Sequence, residues 1–254
     1  DQPRSRGLGD VYKRQEQFFA TAWKVHYNSA RTGVRLIGPR PQWARTDGGE
    51  AGLHPSNLHD NAYAIGAVDF TGDMPVILGP DGPSLGGFVC PAVVVDAELW
   101  KLGQLRPGDE LQFIPVSTAW AAAQGLSLLA YLEGEIESLP QPEASDWGDC
   151  ILDSFGAGDD AVMLRRAGDR YLLMEFGPPQ LDLKLRFKAH VIDQWIREQS
   201  WNGLIDLTPG IRSLQLHYDP SHFDATSAWQ HIRTKILSLP PVSYTHLTLP
   251  TKRK

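Results

Sequence analysis

The chain has 254 residues, of which 42% are hydrophobic and 21% charged, and its formal net charge is −6 at pH 7. This acidic balance gives no electrostatic basis for binding nucleic acid or an anionic membrane, because both favour a basic surface. No apolar run approaches the length that spans a bilayer, and no signal-peptide pattern is present. Two cysteines do not make a disulfide framework, so a cytoplasmic location is the default expectation.

Both ends of the chain are predicted to be foreign to the fold. Residues 10–15, DVYKRQ, can be encoded by DNA whose reverse complement encodes VSYTH, the sequence of residues 242–246. An inverted repeat of this kind is expected of sequencing adapters, and the evolution of a fold gives no reason for it. Residues 1–15 and 242–254 are therefore predicted to be non-native adapter translation, with two natural tails as the alternative. The native protein is then expected to be longer.

The first half of the remaining chain, residues 16–117, is predicted to be rich in β-strands. A strand at residues 34–38 is followed by a polar tract, residues 39–73, which we expect to be a functional loop because it contains aromatic residues. Further strands are predicted at residues 74–79, 86–95 and 110–116. The Gly and Pro residues between these strands favour a β-barrel or a sandwich.

The second half is predicted to be α+β. Residues 118–157 are expected to form a helix, capped by Ser117 or Thr118, and a linker. Residues 158–241 are expected to contain a hairpin, a helix, two strands and a last helix, which a Ser-x-x-Asp signal starting at Ser221 would cap. The fold class is therefore mixed β and α+β.

One helix of the second half carries a long apolar stripe. Residues 184–199 place apolar side chains at helical spacing, namely Leu185, Val191, Ile192, Trp195 and Ile196. A single short α/β segment is expected to cover only part of this stripe. We therefore expect an exposed apolar face.

The most polar run of the first half, HPSNLHDNAY at residues 54–63, is the candidate site. His54 and His59 are five residues apart, which is not the spacing of two ligands on one helix turn, and no Glu or Cys completes a set. A metal site is therefore not predicted. The run is either a polar loop that hydrogen-bonds its own backbone or a binding loop, and Asn57 and Asn61 suit a neutral amide-like ligand because they both donate and accept.

Two other motifs lack the features of an active site. The Gly-rich run at residues 79–87 ends without the Lys-Ser/Thr pair of a phosphate-binding loop, and it is predicted to be a turn. Ser213 lacks the strand-to-helix elbow of a nucleophilic serine, and it is predicted to lie in a strand or turn. Composition and spacing alone therefore do not identify a reaction.

Two long segments carry a resemblance to a known family. Residues 32–95, from TGVRLIGP to CPAVVV, resemble the carboxyltransferase domain of urea carboxylase, in the part similar to allophanate hydrolase subunit 2. Residues 168–220, from GDRYLLMEF to LQLHYDP, resemble the start of the part similar to subunit 1. The order of the two parts also matches that family.

The resemblance implies a fold and a reaction. It implies a partial cyclophilin-like β-barrel followed by a small α/β segment. It also implies transfer of a carboxyl group from carboxybiotin to urea, which gives allophanate. Biotin would be attached to a carrier domain, and a biotin carboxylase domain of the same full-length chain would use ATP and bicarbonate. Because the family's active site draws on both halves, the chain alone is expected to be inactive.

Within this family the polar run provides the substrate-binding candidates, which are His54, Asn57, Asn61 and Tyr63. No catalytic residue is assigned and no metal is expected. Two alternatives stay open, namely a guanidine carboxylase of the same family and a pair of subunits of the 5-oxoprolinase or kinase-inhibitor type.

Overall fold

The computed structural model describes residues 15–146 and 148–239, and the predicted adapter segments lie outside these residues except for Gln15. The helices are α1 (Gln15–Ala20), α2 (Thr118–Leu132), α3 (Leu183–Gln199) and α4 (Ala225–Leu237). The strands are β1 (Trp23–Val25), β2 (Gly33–Ile37), β3 (Asn57–Ala62), β4 (Ala67–Thr71), β5 (Met74–Leu78), β6 (Leu85–Phe88), β7 (Ala92–Val93), β8 (Glu110–Leu111), β9 (Ile151–Phe155), β10 (Val162–Arg166), β11 (Tyr171–Phe176), β12 (Leu204–Pro209) and β13 (Ser213–Tyr218).

The first half is built on a six-stranded antiparallel sheet. Its strand order is β7-β4-β5-β2-β1-β8. The core under this sheet contains Trp23, Leu36, Phe70 and Ile77, all of which are buried. Phe18 brings α1 onto the same core, where its ring stacks on Phe113 with the centroids 4.7 Å apart.

The second half is a five-stranded antiparallel sheet in the order β12-β13-β11-β10-β9, with α3 and α4 on one face. Alternate side chains of each strand point to the helices because side chains in a strand alternate between the two faces. Leu214 and Leu216 from β13 pack there with Ile192 from α3 and Ile232 from α4. Strand β9 pairs with β10, so this sheet includes part of the segment predicted as helix and linker.

The apolar stripe of α3 is covered. Leu185, Ile192 and Ile196 are at most 1% exposed, and Trp195 is partly buried against the same core, whereas Val191 is exposed. The expectation of an uncovered apolar face is therefore wrong for most of the stripe. The physical reason is that α4 and the five-stranded sheet pack on the helix together.

The other face of the second sheet is covered by a two-stranded ribbon from the first half. The ribbon consists of β3 and β6, with Asn61 opposite Gly86. Gln215 donates a hydrogen bond from Nε2 to the carbonyl of Tyr63, and the N···O distance is 3.1 Å. The sheet is thus buried on two sides, and we call the boundary between the ribbon and this sheet face the seam.

The prediction of a loop over residues 39–73 is wrong for the second part of this range, because β3 and β4 lie there. β3 lacks the apolar alternation of a strand because it packs against a polar sheet face. The predicted strand at residues 86–95 is divided between β6 and β7, which belong to different sheets. Of the strand predicted at residues 110–116, only β8 forms.

The predicted helices agree better with the structure than the predicted strands of the first half do. Ser117 caps α2 by accepting a hydrogen bond from the backbone N–H of Trp120, as predicted. α4 begins later than the Ser-x-x-Asp signal indicates, because Asp224, not Ser221, accepts from the N–H groups of Thr226 and Ser227. In the part of the chain that the structure describes, no helix is both long and apolar enough to cross a membrane.

The ribbon depends on a close contact between a glycine and an aromatic ring. A Cβ atom at Gly86 would lie 2.3 Å from a ring carbon of Tyr63. We therefore expect Gly86→Ala to lower the free energy of unfolding by about 2 kcal/mol, as overpacking of a core commonly does. Gly103→Ala is the matched control, since a Cβ there would meet no atom within 4 Å. Chemical denaturation measures both, and equal stabilities would contradict the contact.

Candidate functional site

The seam places Asn61 against the second half of the chain. Its Oδ1 accepts a hydrogen bond from the hydroxyl of Ser213, 152 residues later in the sequence, at 3.1 Å. Among the residues that the structure describes, the amide nitrogen of Asn61 has no hydrogen-bond partner. Because an amide NH₂ carries two donors, Asn61 can donate to a carbonyl oxygen while Ser213 holds its other end.

A charged cluster lies beside Ser213 on the same sheet face. Glu175 is directly opposite Ser213 in the register of β11 and β13. Its carboxylate accepts from Arg212 Nη2 at 2.6 Å and from Arg165 Nε. Arg165 is only 6% exposed, and its Nη1 is buried without a partner among the described atoms. The cluster therefore has an excess of one positive charge and an unpaired buried donor.

The two arginines control the ionisation of Glu175. Burial alone would raise the pKa of this carboxyl, but Arg212 and Arg165 together hold the pKa below its ordinary value. Glu175 is therefore ionised at neutral pH. Its charge fixes the two guanidinium groups in place next to the Ser213–Asn61 pair.

His54 lies in a different cluster at the turn between β4 and β5. Its Nδ1 is 2.8 Å from the hydroxyl of Ser56, and its Nε2 is 3.5 Å from Asp73 Oδ1. Trp43 donates a hydrogen bond from Nε1 to the same carboxylate and packs edge-on against the His54 ring. This arrangement orients His54 toward Asp73, not toward the seam.

Asn57 begins β3 and packs against a glycine turn. A Cβ atom at Gly52 would lie 2.7 Å from Asn57 Nδ2, and the carbonyl of Asn57 accepts from Arg45. The Asn57 side chain therefore fits against this turn at the far end of the ribbon from Asn61.

Tyr63 is buried, and its hydroxyl is occupied inside the first half. The hydroxyl accepts from the backbone N–H of Phe88 at 2.8 Å and is hydrogen-bonded to the buried carboxyl of Asp69. Burial raises the pKa of Tyr63 and that of Asp69. Of the four candidates from the sequence, the structure thus places only the Asn61 side chain at the seam.

Sequence reasoning missed the second half of this site. The sequence indicates only a strand or turn at Ser213, and it does not single out Arg165, Glu175 or Arg212. The available signal was the alternation in β13, where the polar residues Ser213, Gln215 and His217 stand between apolar ones, because such a strand must bury one polar face. The second half also contains Asp219, Ser221 and His222 in an exposed turn. Ser221 and Asp219 both contact the same nitrogen of His222, Nδ1.

No group of three or more His, Cys, Asp or Glu side chains among the described residues has a geometry that could hold a metal ion. The polar groups at the seam are instead amide, hydroxyl, guanidinium and carboxylate groups. In ligand sites of proteins, groups of these kinds orient polar organic molecules through hydrogen bonds.

The comparison with protein families assigns both halves. The family model described as "Carboxyltransferase domain, subdomain A and B" matches residues 11–115, and the one described as "Carboxyltransferase domain, subdomain C and D" matches residues 162–243. The chain belongs to the carboxyltransferase-domain family. The gap between the two matches contains α2 and β9, and the seam is a contact between the two matched regions.

The relatives are much longer than this chain. Urea amidolyase of Lachancea kluyveri is 45% identical over 223 residues, which is 84% of this chain and 12% of that protein. The crystal structure of the Kluyveromyces lactis urea carboxylase superposes with a TM-score of 0.84 at 42% identity, covering 92% of this chain and 22% of that one. A 5-oxoprolinase component of Haemophilus influenzae is 30% identical over 115 residues, 44% of this chain and 34% of that protein.

The charged cluster predicts a pH dependence of stability. Because the pKa of Glu175 is lowered in the folded chain, its stabilising contribution is complete above the ordinary value of 4.5 and is lost as the pH falls below it. Glu175→Gln should therefore lower the free energy of unfolding at pH 7 by about 3 kcal/mol, since it leaves two buried arginines without a counter-charge.

Denaturation curves between pH 7 and pH 3 check this expectation. The difference between wild type and Glu175→Gln should shrink as the pH falls below 4.5. Glu137→Gln removes an exposed carboxylate and serves as the control, with no change expected at pH 7. A constant difference at every pH would show that Glu175 is not the ionised centre of the cluster.

Proposed function

We propose that the chain is part of the carboxyltransferase domain of a biotin-dependent urea carboxylase, which moves a carboxyl group from carboxybiotin to urea and forms allophanate. The observation that carries the proposal is the position of Asn61. It is held by Ser213 across the seam between the two carboxyltransferase segments, with an amide donor free for a substrate carbonyl. The similarity to urea carboxylase over most of the chain supports the same reaction.

Biotin, when bound through its carrier, supplies the carboxyl group on a ring nitrogen. The residues at the seam fit such a group because the amide nitrogen of Asn61 has no hydrogen-bond partner within the described chain. Fixed donors of this kind stabilise negative charge on an oxygen without reorganising.

In this proposal, Asn61 binds substrate and the other sequence candidates support the strand that carries it. Tyr63 fixes the C-terminal side of β3 through Phe88 and Asp69. Asn57 and His54 hold its N-terminal side, and they remain candidates for contact with a substrate that enters along the ribbon. We also propose that the six-stranded sheet is a partial cyclophilin-like barrel.

The charge beside Asn61 favours urea over guanidine as the substrate. Arg165 and Arg212 exceed Glu175 by one positive charge, and they lie on the sheet face that holds Ser213. A guanidinium cation would be repelled there, whereas neutral urea would not. The similarity to the 5-oxoprolinase component extends over 44% of the chain against 84% for the urea amidolyase, so that alternative is supported over a smaller part of the chain.

The remaining steps belong to other domains in this proposal. A biotin carboxylase domain would use ATP and bicarbonate, and a carrier domain would bring biotin to the seam. The 254-residue chain should therefore have no carboxylase activity alone. A cytoplasmic location is proposed as well, in keeping with two free cysteines, since that compartment keeps thiols reduced.

Asn61→Ala tests the proposed function in a complete urea carboxylase that carries this segment. Losing one hydrogen bond to substrate should lower kcat/KM for urea about 10-fold to 100-fold. The hydrolysis of ATP in the absence of urea should be unchanged, because the variant leaves the biotin carboxylase domain intact.

Asn28→Ala is the matched control, because Asn28 lies in an exposed turn of the first half. This variant should keep wild-type kinetics. Wild-type kinetics in Asn61→Ala as well would remove the assignment of Asn61 as a substrate contact. Faster carboxylation of guanidine than of urea by the wild-type enzyme would instead overturn the choice of substrate.

A further inference from the structure

Helix α2 lies in the gap between the two family matches, and its sequence contains no charged residue. It packs on the first half through one narrow side. On that side Ala121 is buried, and the amide of Gln124 donates to Glu98 Oε1 at 3.2 Å and to the carbonyl of Pro140 at 3.4 Å. A helix that packs on one side only normally carries charged and polar residues on the other.

The opposite side of α2 carries alanine and leucine instead. With 3.6 residues per turn, five exposed residues fall on the side away from Gln124. We call them the α2 stripe, and they are Ala119, Ala122, Ala123, Leu126 and Leu129. Leu126 is 71% exposed and Leu129 is 57% exposed. An exposed apolar patch of this kind marks a surface that another molecule or segment covers.

The α2 stripe is complementary to a second copy of itself. Its first turns carry small side chains, and Leu126 and Leu129 follow Ala119 and Ala122 by seven residues each, which is two turns of the helix. When two copies lie antiparallel around a two-fold axis, the alanines of one copy face the leucines of the other. Large and small side chains that face each other interdigitate without voids, and the two-fold axis makes every contact twice.

The charges at the end of the helix favour the antiparallel direction. Glu133, Glu135 and Glu137 follow α2 and are exposed, whereas its first turn has no acidic residue. In a parallel pair the carboxylates of the two copies would lie together and repel each other. In an antiparallel pair they lie about 22 Å apart, at opposite ends of a 15-residue helix. Each set is then beside the N-terminal end of the partner helix, which attracts negative charge.

We propose that the α2 stripe is a dimerisation surface, on which a second copy of this chain binds with its own α2 antiparallel. The dimer should be weak and should dissociate on dilution, because one pair of helices about 22 Å long buries less than the roughly 1,200 Å² of a stable interface. The proposal does not rest on the proposed carboxyl transfer, since α2 lies outside both family matches.

Sedimentation equilibrium of the 254-residue chain tests the proposal. The mean mass is measured at protein concentrations from about 1 µM to about 1 mM, which covers the range of weak association. We expect it to rise from 28.1 kDa toward twice that value and to stop there, because a two-fold contact is closed.

Leu126→Glu makes the test specific. The substitution places a charge in the centre of the α2 stripe, so this variant should stay monomeric at every concentration. Leu181→Glu is the matched control, since it makes the same change at a position of the second half that is 68% exposed. It should dimerise like the wild type. Both leucines are exposed, so the free energy of unfolding measured at about 1 µM should be the same for both variants.

Cysteine cross-linking tests the direction of the pair. Ala119→Cys and Leu129→Cys are each made in a Cys150→Ser background, because Cys150 is exposed. In the antiparallel pair these two positions face each other, whereas two copies of either one lie about 15 Å apart along the helices. We therefore expect disulfide-linked dimers in a mixture of the two variants and few in either variant alone.

Three results would overturn the proposal, namely a monomer at every concentration, assembly that continues beyond a dimer, or equal dimerisation of Leu126→Glu and the wild type. A monomer would assign the α2 stripe to another segment of a longer protein instead of a second copy. Efficient cross-linking within each single variant would show a parallel pair and would contradict the argument from charge.

Discussion

The structure depends on the polar contact between the β3–β6 ribbon and one face of the second sheet. That sheet is unusual among the elements of this chain because both of its faces are covered. The helices cover the apolar face through side chains such as Leu214 and Ile192, whereas the ribbon covers Ser213 and Gln215. A buried polar side chain is tolerated only where it is hydrogen-bonded, so each half must supply the partners that the other half lacks.

This contact also explains which parts of the fold could be predicted from sequence. Helix α3 and the hairpin of β10 and β11 are recognised because their apolar periodicity reflects a core that is local in sequence. β3 escaped recognition because the residues that make its polarity acceptable, Ser213 and Gln215, lie about 150 positions away. The prediction of where α4 starts failed for a local reason. Ser221 and Asp224 are both good N-cap residues, but only Asp224 accepts hydrogen bonds from the first N–H groups of the helix.

The candidate site could be predicted only in part. The run at residues 54–63 stands out for its hydrogen-bonding side chains, but it does not show which partners they find. Asn61 is held at the seam by Ser213, whereas Tyr63, which follows the end of β3, has its hydroxyl held inside the first half by Phe88. The residues that complete the site, above all Glu175 and its two arginines, lie in β10, β11 and the turn before β13, whose sequences contain no motif of a site.

The family matches and the geometry meet at the same contact between the two halves. The two carboxyltransferase matches meet at the seam, where Ser213 holds Asn61 next to the charged cluster of Glu175. In this account a neutral substrate is bound by an amide whose orientation is fixed from the other half of the chain. If the proposal is right, the two halves act as one unit, because Asn61 and Ser213 come from different halves.

A double-mutant cycle between Asn61 and Ser213 tests this central claim most directly. The free energy of unfolding of the 254-residue chain is measured by guanidinium chloride denaturation for wild type, Asn61→Ala, Ser213→Ala and the double variant. The account predicts a coupling free energy of about 1 kcal/mol, because the second substitution costs little once the first has removed the hydrogen bond. Additive effects, with no coupling between the two positions, would show that the seam does not form and would contradict the account.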